Sequence, residues 1–119
     1  MSETERLLQW VLEALEDLKA KQVTVLDVRG KTSVTDYMVV ASGTSERHLH
    51  ALAGKVVEKL AEHKIKPLGV EGERSRDWVL VDAGDVIVHV MLPETREFYQ
   101  LEKLWRVENE PETAPVQSA

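Results

Sequence analysis

The chain of 119 residues contains no cysteine. That excludes disulfides and thiolate metal sites, and it is compatible with a reducing compartment. No apolar run approaches the roughly 18–20 residues that a membrane-spanning helix requires. The opening MSETERLLQW lacks the basic start and apolar centre of a secretory signal. No serine stands in a G-x-S-x-G elbow, no H-x-x-x-H pair is present, and no two aspartates have D-x-D spacing. The usual local signatures of a serine hydrolase, a helical zinc site and a strand-borne carboxylate pair are thus all missing. There is no Walker loop, no dinucleotide fingerprint and no internal repeat.

Positive charge is in deficit. Fifteen Lys and Arg face 21 Asp and Glu, for a net charge of −6. Glu108, Glu110 and Glu112 supply three acidic charges in a final stretch that holds no base. Affinity for nucleic acid comes largely from Lys and Arg neutralising phosphates, so this balance argues against an extensive phosphate-binding surface. It permits a basic protein as partner. Hydrophobic residues at 43% and charged residues at 30% are ordinary for a globular chain, and this length can bury a core unaided.

The chain is organised around Trp78–Met91, WVLVDAGDVIVHVM. Two β-rich runs, Trp78–Asp82 and Val86–Met91, flank Ala83-Gly84-Asp85, which reads as a hairpin. Alternation gives each run two faces. Val79 and Val81, with Val86, Val88 and Val90, form small β-branched sets. Trp78, Leu80 and Asp82 point the other way on the first run, as do Ile87, His89 and Met91 on the second. Both faces are rich in apolar groups. Either helices cover both, or part of the hairpin belongs to a partner.

Around this hairpin, Ser2–Lys21 reads as an amphipathic helix with a Ser2/Glu5 capping box and a stripe of Leu7, Leu8, Val11, Ala14, Leu15 and Leu18. Trp10 lies off that stripe, at the helix margin or available to another chain. Val23–Val28 is a first strand. Tyr37–Ala41 is a continuous apolar run of the kind covered on both faces. Ser42-Gly43-Thr44-Ser45 precedes a second helix, capped by Thr44 or Ser45 and ending near His63. Val70-Glu71 suggests a short strand. Pro93 suits the first position of a short helix, PETREFY. The expected fold is α/β (α+β), one domain over residues 1–107, with a mixed five-stranded sheet flanked by helices. Residues 108–119 read as an acidic disordered tail.

Four aspartates, Asp27, Asp36, Asp82 and Asp85, lie near strand ends, where carboxylates could hold Mg²⁺. Turn and cap roles are the simpler reading. The Ser42–Ser45 turn could hold an anion at a helix start, but a turn and cap is the simpler reading. His48 and His50 face different ways on one helix and do not share a metal. His89 reads as a hydrogen-bonded structural histidine. What remains is the apolar surplus of Trp78, Leu80 and Met91, continued by Tyr99, Leu101, Leu104 and Trp105. It is core under a folded-back last segment, or a protein-binding patch, where Trp and Tyr are favoured anchors, or a set divided between the two.

The order and spacing of several short pieces resemble the Iojap-type ribosomal silencing factors of bacteria and organelles, from about Leu7 to Trp105. The pieces are Asp27-Val28, Ser33, Asp36–Val40, Ser42–His48 with Ala51 and Ala53, Gly69 and Glu71-Gly72. The strongest are Trp78–Asp82 with Gly84–His89, and Arg96–Trp105. The resemblance implies a domain related in fold to nucleotidyltransferases. That ancestry predicts a Gly-Ser loop and paired catalytic aspartates. This chain departs from both, with Gly43-Thr44-Ser45 and no D-x-D pair, which argues against transferase activity. The resemblance implies a non-catalytic cytoplasmic protein without a cofactor or metal. The implied partner is the large ribosomal subunit, through its ribosomal protein fourteen, with little direct RNA contact and no membrane. A factor seated there would block joining of the small subunit and lower translation when nutrients are scarce. Carried over by position, the contact surface comprises Trp78, Leu80, Met91, Tyr99, Leu101 and Leu104, with Asp82 and Glu102 facing basic groups. A homodimer through the same patch is implied for the free protein. The rival expectation is an Mg²⁺-dependent nucleotidyltransferase-like enzyme using Asp36 and a second carboxylate.

Overall fold

In the computed structural model, which describes residues 2–100, each helix start follows from a local signal. Ser2 Oγ accepts from the Glu5 N–H and Glu5 Oε1 accepts from the Ser2 N–H, both at 3.1 Å. That closed capping box satisfies two N-terminal amides of α1 (Glu3–Asp17). The helix stops short of the expected Lys21 because Lys19 enters the left-handed region at φ 61°, and the Ala20 N–H turns back to the Leu15 carbonyl. Strand β1 (Lys21–Asp27) therefore starts earlier than Val23 and contains a register irregularity between Lys21 and Thr24. Ser45 caps α2 (Glu46–Glu62) by accepting from the His48 N–H.

The remaining elements are β2 (Tyr37–Ser42), β3 (Gly69–Glu71), β4 (Trp78–Asp82), β5 (Val86–Met91) and α3 (Pro93–Tyr99). The five strands form one sheet in the order β1-β2-β5-β4-β3. Only the β2–β5 pair is parallel; β1–β2, β4–β5 and β3–β4 are antiparallel. The sheet is mixed, as expected, and β5 at its centre is buried along its whole length.

Hairpin register sets the two faces. Val79 opposes Val90 and Val81 opposes Val88, and all four join the core made with Leu7, Val11, Leu15, Leu49, Leu52, Val56 and Leu60 of α1 and α2. Each such fully buried side chain stabilises the fold by roughly 1.5–3 kcal/mol. On the other face Trp78 opposes Met91, Leu80 opposes His89 and Asp82 opposes Ile87. A second, smaller cluster lies there: Leu26, Val28, Met38, Val40 and Met91, with Trp78 packed against it. Helices α1 and α2 thus cover one face, and the seven-residue α3 lies over the other. The tail expected at 108–119, and its boundary at 107, lie outside the described residues.

Candidate protein-docking face

The sheet face opposite α1 and α2 carries the exposed aromatic groups. Two polar links hold α3 above it. Thr95 Oγ1 donates to Asp77 Oδ2 at 3.1 Å, at the start of β4. Arg96, only 7% exposed, lies across two strands; its Nη1 donates to Ser42 Oγ at 3.0 Å and its Nη2 to Thr24 Oγ1 at 2.9 Å. A buried guanidinium is tolerated only when its donors are satisfied. Nothing local in the sequence marked Arg96 as buried, since Thr95 precedes it and Glu97 follows it.

Held this way, α3 presents Phe98 and Tyr99. Tyr99 lies 5.0 Å from Trp78, centroid to centroid, and Phe98 meets Tyr99 edge-on at 4.9 Å. Tilted and edge-to-face pairs at these separations are favourable ring arrangements. Yet Phe98 is 79% exposed and Tyr99 53%. The sequence pointed to Tyr99 and missed Phe98, although the Phe-Tyr doublet at the end of α3 was the available clue.

Trp78 links surface to interior. Its ring is half-buried, tilted against His89 at 5.8 Å, and its Nε1–H donates to His89 Nδ1 at 3.1 Å. His89 is 7% exposed, and burial lowers its pKa to about 4. It is therefore neutral near pH 7, with Nδ1 accepting and the proton on Nε2. This is the structural histidine expected from the sequence. Leu80 and Asp82 follow Trp78 on the same face, both half-buried. Asp82 Oδ1 accepts from the Gly84 N–H at 2.9 Å, so the carboxylate also shapes the hairpin turn. A depression of about 330 Å³ opens beside them, lined by Glu71, Gly72, Ser75, Asp77, Trp78 and Leu80.

Met91 corrects the expected contact set. It shares the face of Trp78, as alternation requires, but is completely buried. The neighbouring strands β1 and β2 bring Leu26, Met38 and Val40 around it, so it forms a floor beneath the rings and not a surface contact. The other expected contacts, Leu101, Glu102 and Leu104, lie outside the described residues.

The acidic and imidazole side chains singled out earlier go to separate places. Hydrogen bonds from the side chain and backbone N–H of Arg29 lower the Asp27 pKa to about 2. Asp85 Oδ2 accepts from Thr4 Oγ1, and its carbonyl accepts from the Asp36 and Tyr37 amides. His48 bridges the Thr44 amide and the Leu18 carbonyl, while His50 donates to the Ser75 carbonyl at 2.6 Å. Trp10 stacks on His63 at 3.6 Å, at the margin of α1. Among the described residues, no three His, Asp or Glu side chains come together as metal ligands, and no helix is long and apolar enough to cross a membrane.

Comparison with known proteins covers the whole chain. The family described as ribosomal silencing factor during starvation matches residues 1–119. The chain is similar to ribosomal silencing factor RsfS of Chromobacterium violaceum, 48% identical over 103 residues, covering 87% of this chain and 84% of that one. It is 41% identical over 98 residues to the mouse protein named mitochondrial assembly of ribosomal large subunit protein 1, covering 80% of this chain and 43% of that one. Its fold is similar to that of a crystal structure of a Chromobacterium violaceum protein, with a TM-score of 0.86 at 45% identity over 96% of this chain and 94% of that one.

Proposed function

Because the chain belongs to the ribosomal silencing factor family, we propose that it binds the large ribosomal subunit through its aromatic face and bars the small subunit by occupying the joining surface. The observation that carries this reading is the pair Phe98 and Tyr99, left exposed on top of Trp78 by a helix anchored at both Thr95 and Arg96. Large rings held on a rigid support lose little conformational entropy on docking, which is what an interface anchor requires.

The contact is ribosomal protein fourteen of the large subunit, with Trp78, Leu80 and Tyr99 as anchors and Leu101 and Leu104 extending the patch. Asp82 and Glu102 meet basic groups on that protein, in keeping with the net charge of −6. Met91 supports the anchors from below. The mouse relative's name refers to the large subunit, which favours that subunit over the small one. The action is steric and needs no chemical step, cofactor or metal, and it takes place in the cytoplasm. In the free protein two copies cover the same face against each other.

Sedimentation with purified subunits tests this. The expected result is co-migration with the large subunit and fewer joined ribosomes as the protein is titrated in. Migration at the top of the gradient, with both subunits present and joining undisturbed, would refute the reading.

A further inference from the structure

The depression on the aromatic face joins an apolar floor to two carboxylates. Trp78 and Leu80, both half-buried, supply the floor. Glu71 opposes Leu80 across the β3–β4 ladder, and directly opposed residues share a face of the sheet, so its side chain stands on the side of Leu80 and Trp78. Gly72 then turns the chain at φ +86°. The loop 72–77 passes so close to the start of β4 that a Cβ on Gly72 would strike the Trp78 carbonyl oxygen. Ser75 fixes this loop. Its N–H donates to the Gly72 carbonyl at 2.8 Å. Its Oγ accepts from the Asp77 and Trp78 amides and donates to Asp77 Oδ1, and its carbonyl accepts from His50 Nε2 of α2. Asp77 is thereby set in the same wall, immediately before Trp78.

Neither carboxylate is compensated by a cation. The partners of Asp77 are the neutral hydroxyls of Ser75 and Thr95, and each carboxylate oxygen keeps a further lone pair. Glu71 is exposed, and its carboxylate has no hydrogen bond or ion pair among the described residues. Arg74 and Arg76 are exposed on the same loop but do not line the depression. We propose that this depression receives one lysine or arginine side chain of the protein docked on the aromatic face. The aliphatic stem lies along Leu80 and the Trp78 ring, and the cationic head meets Glu71 and Asp77. This rests on the docking reading above and adds to it the two acids that select the partner. An anionic group would be repelled there. A wholly apolar side chain would desolvate two carboxylates without return. A basic side chain satisfies both parts, because its stem is apolar and only its tip is charged, and an indole face attracts a cation. Trp78 and Leu80 are also docking anchors, so the depression is continuous with the surface that the partner covers.

The test measures the affinity of the full chain for isolated ribosomal protein fourteen, alongside Glu71→Gln and Glu73→Gln. The second variant removes an equal charge from an exposed neighbour that does not line the depression. The expected result is about three- to tenfold weaker binding for Glu71→Gln and a change within about twofold for Glu73→Gln. Each Lys and Arg of the ribosomal protein is then replaced singly by Met, and at one position the loss should not add to that of Glu71→Gln. Unchanged affinity in Glu71→Gln would overturn the inference. So would an equal loss in Glu73→Gln, which would reduce the effect to overall charge, and so would additivity at every position. A parent chain that does not bind the isolated protein would instead overturn the docking reading, and this inference with it.

Discussion

One side chain, His89, should contribute an identifiable share of the stability lost between pH 7 and pH 4.5. Its imidazole is neutral in the fold, with Nδ1 accepting from the Trp78 indole at 3.1 Å, and burial lowers its pKa from 6.5 to about 4. A lowered histidine pKa means that the unfolded chain binds the proton first. The stabilisation is therefore complete above pH 6.5 and is lost as pH falls through 6.5 toward 4. Taking both values, the loss between pH 7 and pH 4.5 is roughly 2–3 kcal/mol. Asp27, the carboxyl lowered to about 2 by Arg29, acts in a different window, losing its contribution only as pH falls below 3.8. The assay is urea unfolding at both pH values for the parent and for His89→Asn, whose amide oxygen takes the place of Nδ1 without titrating. The parent should lose this increment and the variant should not. Equal losses in the two proteins would refute the assignment and show that His89 is already charged in the fold or titrates alike in both states.

Three further outcomes are expected. Phe98→Ser should leave unfolding free energy within about 0.5 kcal/mol, since the ring is 79% exposed, while weakening capture of large subunits in a pull-down by tenfold or more; full retention would remove Phe98 from the interface. Trp78→Ala should weaken the same binding by about 2 kcal/mol or more, with circular dichroism as the check that the sheet persists. Gly72→Ala should destabilise the protein by about 2–4 kcal/mol in denaturant titration, because φ is +86° and the added Cβ would lie 2.3 Å from the Trp78 carbonyl oxygen; a change under about 0.5 kcal/mol would mean the loop relaxes freely.

The elements that could be read from the chain are those with local punctuation. Gly84 between two β-branched runs and Pro93 after Met91 gave β4, β5 and α3 their observed bounds. Ser2 and Ser45 gave the helix starts. The end of α1 was not legible, because the residue that turns left-handed there is Lys19, not glycine or asparagine. The alternation sorted all eleven β4 and β5 side chains onto their faces, but it says nothing of depth. Met91 and Leu80 share a face, yet one is buried and the other half-exposed. The difference comes from β1 and β2, whose place in the sheet depends on the parallel β2–β5 pairing of residues about fifty apart. Non-local pairing of that kind leaves no short-range pattern.

Depth also explains why one face of the sheet can serve as an interface. Two amphipathic helices of 15 and 17 residues cover the other face. Opposite them the seven residues of α3 reach across only part of the sheet. A longer apolar helix would have sealed this face and closed it to the docking proposed above. A face with no helix would have left Leu26, Met38, Val40 and Met91 open to nonspecific association. Arg96 settles the compromise: its hydrogen bonds to Ser42 and Thr24 fix a short helix that has little packing area of its own. The aliphatic residues are thereby closed off, and the rings of Trp78, Phe98 and Tyr99 meet the solvent on a support that does not need to rearrange when something docks.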